Sequence, residues 1–346
     1  MGSKDFFVRS ICSVQQVPEI TYDRRVVDPI AGVTVKIYKR PYLDELGRRV
    51  PARNIAVIRM GGIGDLVMLS SALRALKLSK PNLEIILVTG DLGFDVFAGF
   101  PFIDRMICPN DMVDKSFDMI VDLRMMVEPP EIGGGMPRDV YDKENRTEWF
   151  HRLLSVEDCE VEQFIVPDKT LVEKWMRDLI AVGDGRPWVG IHVNTVRDTR
   201  SFPIEYVDEM VRLFSKRWSV VLLGSGVRDV LRRIDGEHVY NLIEKTGVKD
   251  LIAICSLMNF IVAPDSSVLH IAGTLRIRGV GVLGNMEPDT RCKYYRTLKI
   301  LHPRGAMSCI PCNDMGSCDL RGSVGAPCMR LISPEMIYEI AEEAMR

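Results

Sequence analysis

No apolar run in this sequence approaches the roughly 18 to 20 residues needed to span a membrane, and the opening "MGSKDFFVRSICSV" lacks a continuous signal-peptide core. Those two absences predict a soluble, cytoplasmic chain with no membrane span. Charge of one sign is missing too. A net charge of −2 gives no global basic field to gather nucleic acid or an anionic bilayer, so no nucleic-acid partner is expected. Cysteine is sparse, nine residues unevenly placed, which excludes a disulfide scaffold. Short-period repeats and low-complexity tracts are also lacking.

What is present is enough for two buried cores. A chain of 346 residues with 47% hydrophobic content fits two domains on the prior of roughly 150 residues each. Short apolar strands alternate with amphipathic helices, the pattern of parallel sheets covered on both faces, hence an α/β class. In the first half the strands are expected at Asn54 to Arg59, Glu84 to Val88, Arg105 to Cys108, Phe117 to Val121 and Gln163 to Val166. Leu66, Leu69, Leu73 and Leu76 recur at spacings of three and four and predict a helix with one core-facing stripe. Residues 1–50 form an extension in which "GVTVKIYK" alternates apolar and polar residues, the signature of a half-buried strand or hairpin.

The breakers in "GDGRP" put a domain boundary near Gly183 to Pro187. Residues 51–183 and 184–333 are then the two domains, and Ser333 caps a terminal helix over 334–346. In the second half, strands are expected at Trp188 to Val193, Ser219 to Leu223, Phe260 to Ala263 and Gly279 to Leu283. Helices are expected over Ile204 to Lys216, over Val248 to Met258 and from Ser266. Both halves read as Rossmann-like.

The stretch "RMGGIGDLVMLSSALRALK" looks like a phosphate turn and is not one. Gly61, Gly62 and Gly64 miss the G-x-G-x-x-G spacing, and no Gly-Lys-Ser/Thr follows. Asp65 suits the helix dipole yet would repel a pyrophosphate on the same backbone N–H groups. Two readings stay open for it: a helix N-cap, or a general base toward which the glycines let a substrate hydroxyl approach.

The second half supplies the complementary chemistry. "HVNTVRDTRSFP" leaves a strand end through Asn194, Thr195, Arg197, Thr199 and Arg200, hydroxyls and cations that suit a diphosphate. "FIVAPDSSVLHIAG" places Asp265, Ser266 and Ser267 at a helix start with His270 one turn inside, where hydroxyls and free N–H groups make an anion site. Singly, each segment reads equally well as ordinary caps, a packed histidine and solvated arginines.

Together, "IAVIRMGGIGDLVMLSSALRALK", "HVNTVRDTRSFPIEYVDEMVRLF", "VVLLGSG", "DLIAICSLMNFIVAPDSSVLHIAGTL" and "VGVLGNMEPDTR" resemble, in order, the ADP-heptose-dependent heptosyltransferases of glycosyltransferase family 9. The resemblance runs from about Asn54 to Arg291 and into the cysteine-bearing tail found in some members. It implies a GT-B architecture: two facing Rossmann-like domains, acceptor-binding and donor-binding, with a cleft between them and a terminal helix that often packs back on the other lobe. It further implies an inverting transfer from a nucleotide-sugar donor, ADP-heptose or similar, to a glycan, lipopolysaccharide core or protein hydroxyl. By motif, Asp65 matches the proposed base. Arg200 falls where a lysine usually contacts the diphosphate, with Thr195 in the stretch before it. Asp265, Ser266, Ser267 and His270 match an Asp-Ser/Thr-Gly-x-x-His donor motif. Ser267 in place of glycine, Arg200 in place of lysine, the missing proline after Gly-Asp and "VLGNMEP" are departures that leave the donor sugar open.

Physical chemistry agrees with that division of labour. Inverting transfer needs a base on the acceptor hydroxyl and positive groups for the departing diphosphate. Arg200 with a helix start offers the second, so no catalytic metal is expected. The tail "CIPCNDMGSCDLRGSVGAPCM" spaces Cys309, Cys312, Cys318 and Cys328 as C-x2-C-x5-C-x9-C, which suits a closed structural zinc or single-iron site, with disulfides as the alternative. Some protein-modifying members of the resembled family carry such an iron. Ahead of the helix bearing Arg146, Glu148 and Trp149, a Gly/Pro-rich loop reads equally as acceptor lining or as a mobile surface loop with a packed Trp. A catalytically silent, cysteine-bridged binding module and a Rossmann oxidoreductase are the competing classes, and homo-oligomerisation is open.

Overall fold

The computed structural model describes residues 26–27, 34–39, 52–112, 116–195, 197–226, 229–313, 318 and 326–346. It divides into two compact units, Met1–Val166 and Pro167–Arg346. The first runs β1 (Val26–Val27), β2 (Thr34–Lys39), β3 (Asn54–Ile58), α1 (Ile63–Ser79), β4 (Glu84–Val88), α2 (Asp91–Val96), β5 (Arg105–Ile107), β6 (Met119–Asp122), α3 (Arg138–Lys143) and α4 (Arg146–Leu153). Its sheet has the order β1-β2-β6-β3-β4-β5. Strands β6, β3, β4 and β5 are parallel, whereas β1 and β2 pair antiparallel and β2 joins the sheet antiparallel to β6. The strand expected in the N-terminal extension is therefore there, and it extends the edge of this sheet. The rest of residues 1–51 lies outside the described residues.

Strand β3 is buried along Ile55 to Ile58, as a central parallel strand with both faces covered must be. Helix α1 departs from the one-stripe expectation: besides the four leucines, Val67, Met68, Ser70, Ser71 and Ala72 are buried. The two serines explain both this and a second correction. Gln163 to Val166 forms no strand, because Ser70 and Ser71 hydroxyls accept hydrogen bonds from the backbone N–H groups of Phe164 and Glu162, both at 2.9 Å. The segment lies against α1 and takes its partners from side chains instead of a neighbouring strand.

The second unit runs α5 (Lys169–Val182), β7 (Trp188–His192), α6 (Ile204–Phe214), β8 (Ser219–Leu223), α7 (Asp229–Arg232), β9 (Val239–Asn241), α8 (Val248–Leu257), β10 (Phe260–Pro264), α9 (Ser267–Thr274), β11 (Gly279–Val282), α10 (Asp289–Cys292), β12 (Leu298–Leu301) and α11 (Pro334–Ala344). Its sheet is parallel throughout, in the order β12-β11-β10-β7-β8-β9. The division falls one helix before Gly183, since α5 docks on α8 and its Trp175 indole donates to Asp250 at 2.8 Å. Val189, Ile191, Val220, Leu222, Val262, Val280 and Val282 build the core, and Met329 and Ile337 complete it from the C-terminal segment. Helix α11 packs on α6 of its own unit, where Tyr338 meets Phe214 and Trp218 with ring centroids 5.3 and 5.4 Å apart. Among the described residues no helix is long and apolar enough to cross a membrane.

Candidate functional site

Asp65 is not the cap of α1. Gly62 holds that position without a side-chain bond, and Asp65 is the third residue of the helix. Its carboxylate instead accepts from Arg146 Nη1 at 2.8 Å on one oxygen and from Arg59 Nη2 at 3.3 Å on the other. Arg59, immediately after β3, is fully buried. A guanidinium can be carried there only if it is paired and hydrogen-bonded, and it is. It donates to the Leu123 carbonyl at 2.8 Å and reaches both oxygens of Glu128, at 2.8 and 3.2 Å. Arg146 opens α4, whose cap Asn145 accepts from Thr147 N–H at 2.9 Å, and its guanidinium lies 5.2 Å from the Tyr141 ring centroid.

This arrangement explains the glycines. Gly61 has φ +156°, and a Cβ there would come within 3.0 Å of the Arg59 guanidinium. At Gly62 a Cβ would meet nothing within 4 Å. One glycine accommodates a neighbouring arginine and the other leaves the backbone open to solvent. The Asp65 side chain keeps 17% of its surface exposed.

Of the candidate acceptor-lining residues, Arg146 belongs to this cluster, whereas Trp149 is fully buried with its indole bonded to the Met126 carbonyl at 2.8 Å. Trp149 is core and lines nothing. The buried His151 on the same helix bonds the Ser71 hydroxyl at 2.8 Å. Burial pushes its pKa below the ordinary imidazole value.

In the second unit the parallel strands β7, β10 and β11 are neighbours, so the loops after their carboxyl ends emerge along one edge of the sheet, where open α/β folds bind ligands. Asp265 follows β10 and is buried. It accepts from Arg200 Nη1 at 2.7 Å, and His270 Nε2 lies 3.7 Å from its other oxygen. Burial opposes its ionisation, yet the Arg200 guanidinium, the His270 ring and Arg291 hold its carboxyl well below the usual carboxylate range. Ser266 caps α9 by position only: its hydroxyl is buried, makes no capping bond and has no partner among the described residues. Ser267 begins the helix, partly buried beside it. His270 is buried one turn on, with Nδ1 2.8 Å from the Tyr295 hydroxyl.

Thr195 behaves differently from its neighbours in the candidate set. Its hydroxyl donates to the Arg197 carbonyl at 2.6 Å and accepts from Arg197 N–H at 3.0 Å, closing its own turn. That turn leads into Arg200, whose Nε is buried without a partner among the described residues. His192, at the end of β7, is buried and its pKa is pushed down to about 4 by desolvation.

The sequence reading missed Arg59, Glu128, Arg291 and Tyr295. Only Arg59 carried a local signal, a charge set directly after an apolar strand, which demands a buried partner.

Cys309 and Cys312 are exposed, Cys318 is half-buried and Cys328 is buried, and among the described residues no disulfide joins them. The disulfide alternative is therefore not realised. Among the described residues no three His, Cys, Asp or Glu side chains are gathered closely enough to hold a metal ion, so the expected four-thiolate cage is not assembled. Burial, with the Cys312 and Cys318 thiols adding to it, pushes Cys328 up to about 11. Cys328 and Met329 lie against Gly284, where a Cβ would come within 2.8 Å of either sulfur. Asn313 ties the same tail to the loop after β11 through Asn285 and Glu287, at 2.8 and 2.7 Å.

Comparison with known proteins places this geometry. Residues 157–318 match the family described as glycosyltransferase family 9 (heptosyltransferase). No curated protein matches the chain. Among solved structures, the E. coli ADP-heptose lps heptosyltransferase II is similar over 84% of this chain and 98% of its own, with TM-score 0.66 and 16% identity. A family 9 glycosyl transferase from Veillonella parvula has TM-score 0.66 and 15% identity over 85% of this chain and 97% of its own. TibC, an iron-containing dodecameric glycosyltransferase from enterotoxigenic E. coli, has TM-score 0.63 and 14% identity over 85% and 76%. At such identities the structural matches establish the α/β fold with two parallel sheets, GT-B-like as expected. The matched stretch contains the whole Arg200–Asp265–His270 cluster, so this part of the chain is similar to the heptosyltransferases of glycosyltransferase family 9.

Proposed function

We propose that the protein transfers a sugar, heptose in the first instance, from a nucleotide-diphosphate donor to a hydroxyl of a glycan or protein, with inversion and without a catalytic metal. The acceptor oxygen attacks the anomeric carbon and the bond from that carbon to the diphosphate oxygen breaks. The nucleoside diphosphate leaves with the electron pair. Asp65 takes the hydroxyl proton. Its partly exposed carboxylate, held from behind by Arg59 and Arg146, supports that role, since a fixed base needs no reorientation at the moment of transfer.

The donor is assigned to the second unit. The buried, partnerless Ser266 hydroxyl at the start of α9 is the observation that carries the reading: such a group costs stability unless a ligand satisfies it. A diphosphate there would meet helix N–H groups, Ser267 and the free Nε of Arg200. Thr195 serves by shaping the Arg200 turn. Solved heptosyltransferases similar to this chain, one with ADP and one with ADP-heptose, support a nucleotide of this kind. A zinc or iron at Cys309, Cys312, Cys318 and Cys328 rests on spacing alone, and no step of the proposed reaction passes through it. Homo-oligomerisation is likewise a proposal, suggested by the dodecameric TibC.

The test is thermal unfolding with a panel of ADP-, UDP- and GDP-sugars and NAD. The ADP-sugar is expected to stabilise most, by about 2.7 kcal/mol at 100 times its Kd. Stabilisation by NAD alone would overturn the assignment, and so would no stabilisation by any nucleotide.

A further inference from the structure

We infer that Tyr295 is a positioning residue for the nucleotide site: its hydroxyl donates to His270 Nδ1 and thereby fixes the ring with its proton on Nε2, facing Asp265. The inference rests on the donor reading above. Its geometry is explicit. Tyr295 is buried, and its Oη lies 2.8 Å from His270 Nδ1 with the two rings edge to face at 5.7 Å. The other ring nitrogen lies 3.7 Å from Asp265 Oδ1, while Oδ2 of the same carboxylate accepts from Arg200.

The electrostatics choose the tautomer. A neutral imidazole has one N–H and one lone pair. Turning the lone pair toward an ionised carboxylate is repulsive, and turning the N–H toward it is attractive. With the proton on Nε2, Nδ1 must accept, and Tyr295 is the donor. Donation then runs from Tyr295 to His270 to Asp265, and the same carboxylate accepts from the opposite side the guanidinium of Arg200, the group proposed to meet the diphosphate. The other charged or titratable groups around it are Arg291, Asp289 and Cys292, all on α10.

Gly273 makes the contact available. It sits on α9 three residues after His270, and a Cβ there would come within 2.2 Å of the Tyr295 ring. The ring lies across the bare backbone of the same helix that presents His270, and only a glycine permits it.

The experiment is ADP binding by calorimetry at pH 8 to the full chain and to Tyr295→Phe. Phenylalanine keeps the ring packing and removes the hydroxyl. At pH 8 the variant is expected to bind ADP about fivefold more weakly, the loss of one buried hydrogen bond. In a His270→Ala background Tyr295→Phe should have no further effect.

An unchanged affinity at pH 8, or a full effect in the His270→Ala background, would overturn the inference. If the wild type itself fails to bind ADP, the donor reading falls and takes the inference with it. Should Tyr295→Phe not fold, nitrogen-15 NMR of the histidine-labelled wild type reads the tautomer directly: a proton on Nε2 of His270 is expected, and one on Nδ1 would refute the claim.

Discussion

Two aspartates follow parallel strands in this protein, one in each unit, and both are paired with arginine, yet they are built for different work. Asp65 stands between two guanidinium groups and keeps 17% of its side chain in contact with solvent. Asp265 keeps 3%, shares one arginine with a histidine, and is deeply ionised despite its burial. An open edge lets a carboxylate exchange a proton with something that arrives from outside. A closed one can only hold its neighbours in place. The difference in exposure, more than any difference in residue type, separates the proposed base from the proposed organiser.

The comparison can be broken most sharply at the open aspartate. Asp65→Asn should leave ADP affinity unchanged and lower turnover by roughly 10²- to 10⁴-fold, the usual range for a general base. A variant that lost ADP binding in step with turnover would erase the distinction. Next in size is the closed aspartate. Asp265→Asn leaves Arg200 without its anionic partner and should cost on the order of 3 kcal/mol in chemical denaturation, the low end for a broken buried pair because Arg200 is partly in water. ADP affinity should fall with it, and full affinity in a destabilised protein would show that the carboxylate serves packing alone.

The smallest effect sharpens the role of burial. His192 has a folded pKa of about 4, below its unfolded value near 6.5, so the unfolded chain binds the proton first as pH falls. The stability it contributes is full above about pH 6.5 and is lost progressively down to pH 4. Between pH 7.5 and pH 5 the wild type should lose about 2 kcal/mol that His192→Gln does not, read from unfolding curves at the two pH values. Parallel curves for the two proteins would mean that water reaches the ring.

Much of the framework was legible because its signals are local. Apolar runs bounded by breakers located β4 and β8 to the residue, and the strand–turn–helix around Asp265 was readable from residue types. Gln163 to Val166 was misread because its partners are serines more than ninety positions earlier in the chain. The Arg59–Glu128 pair spans 69 residues and the His270–Tyr295 pair 25, and no periodicity records either. Asp65 was located by sequence. Its surroundings were not, since a burial-driven ion-pair network is a property of the assembled unit. The four cysteines show the converse: Cys312 and Cys318 lie near enough to Cys328 to raise its pKa, yet among the described residues the regular spacing yields no group of three metal-ligating side chains.

Gly61 changes how the turn after β3 should be valued. A guanidinium occupies the hemisphere where a side chain would stand, so the bareness of that position is already spent on the protein itself. Searches that score glycine-rich loops as nucleotide cradles will be drawn to this one for a vacancy that an arginine has filled.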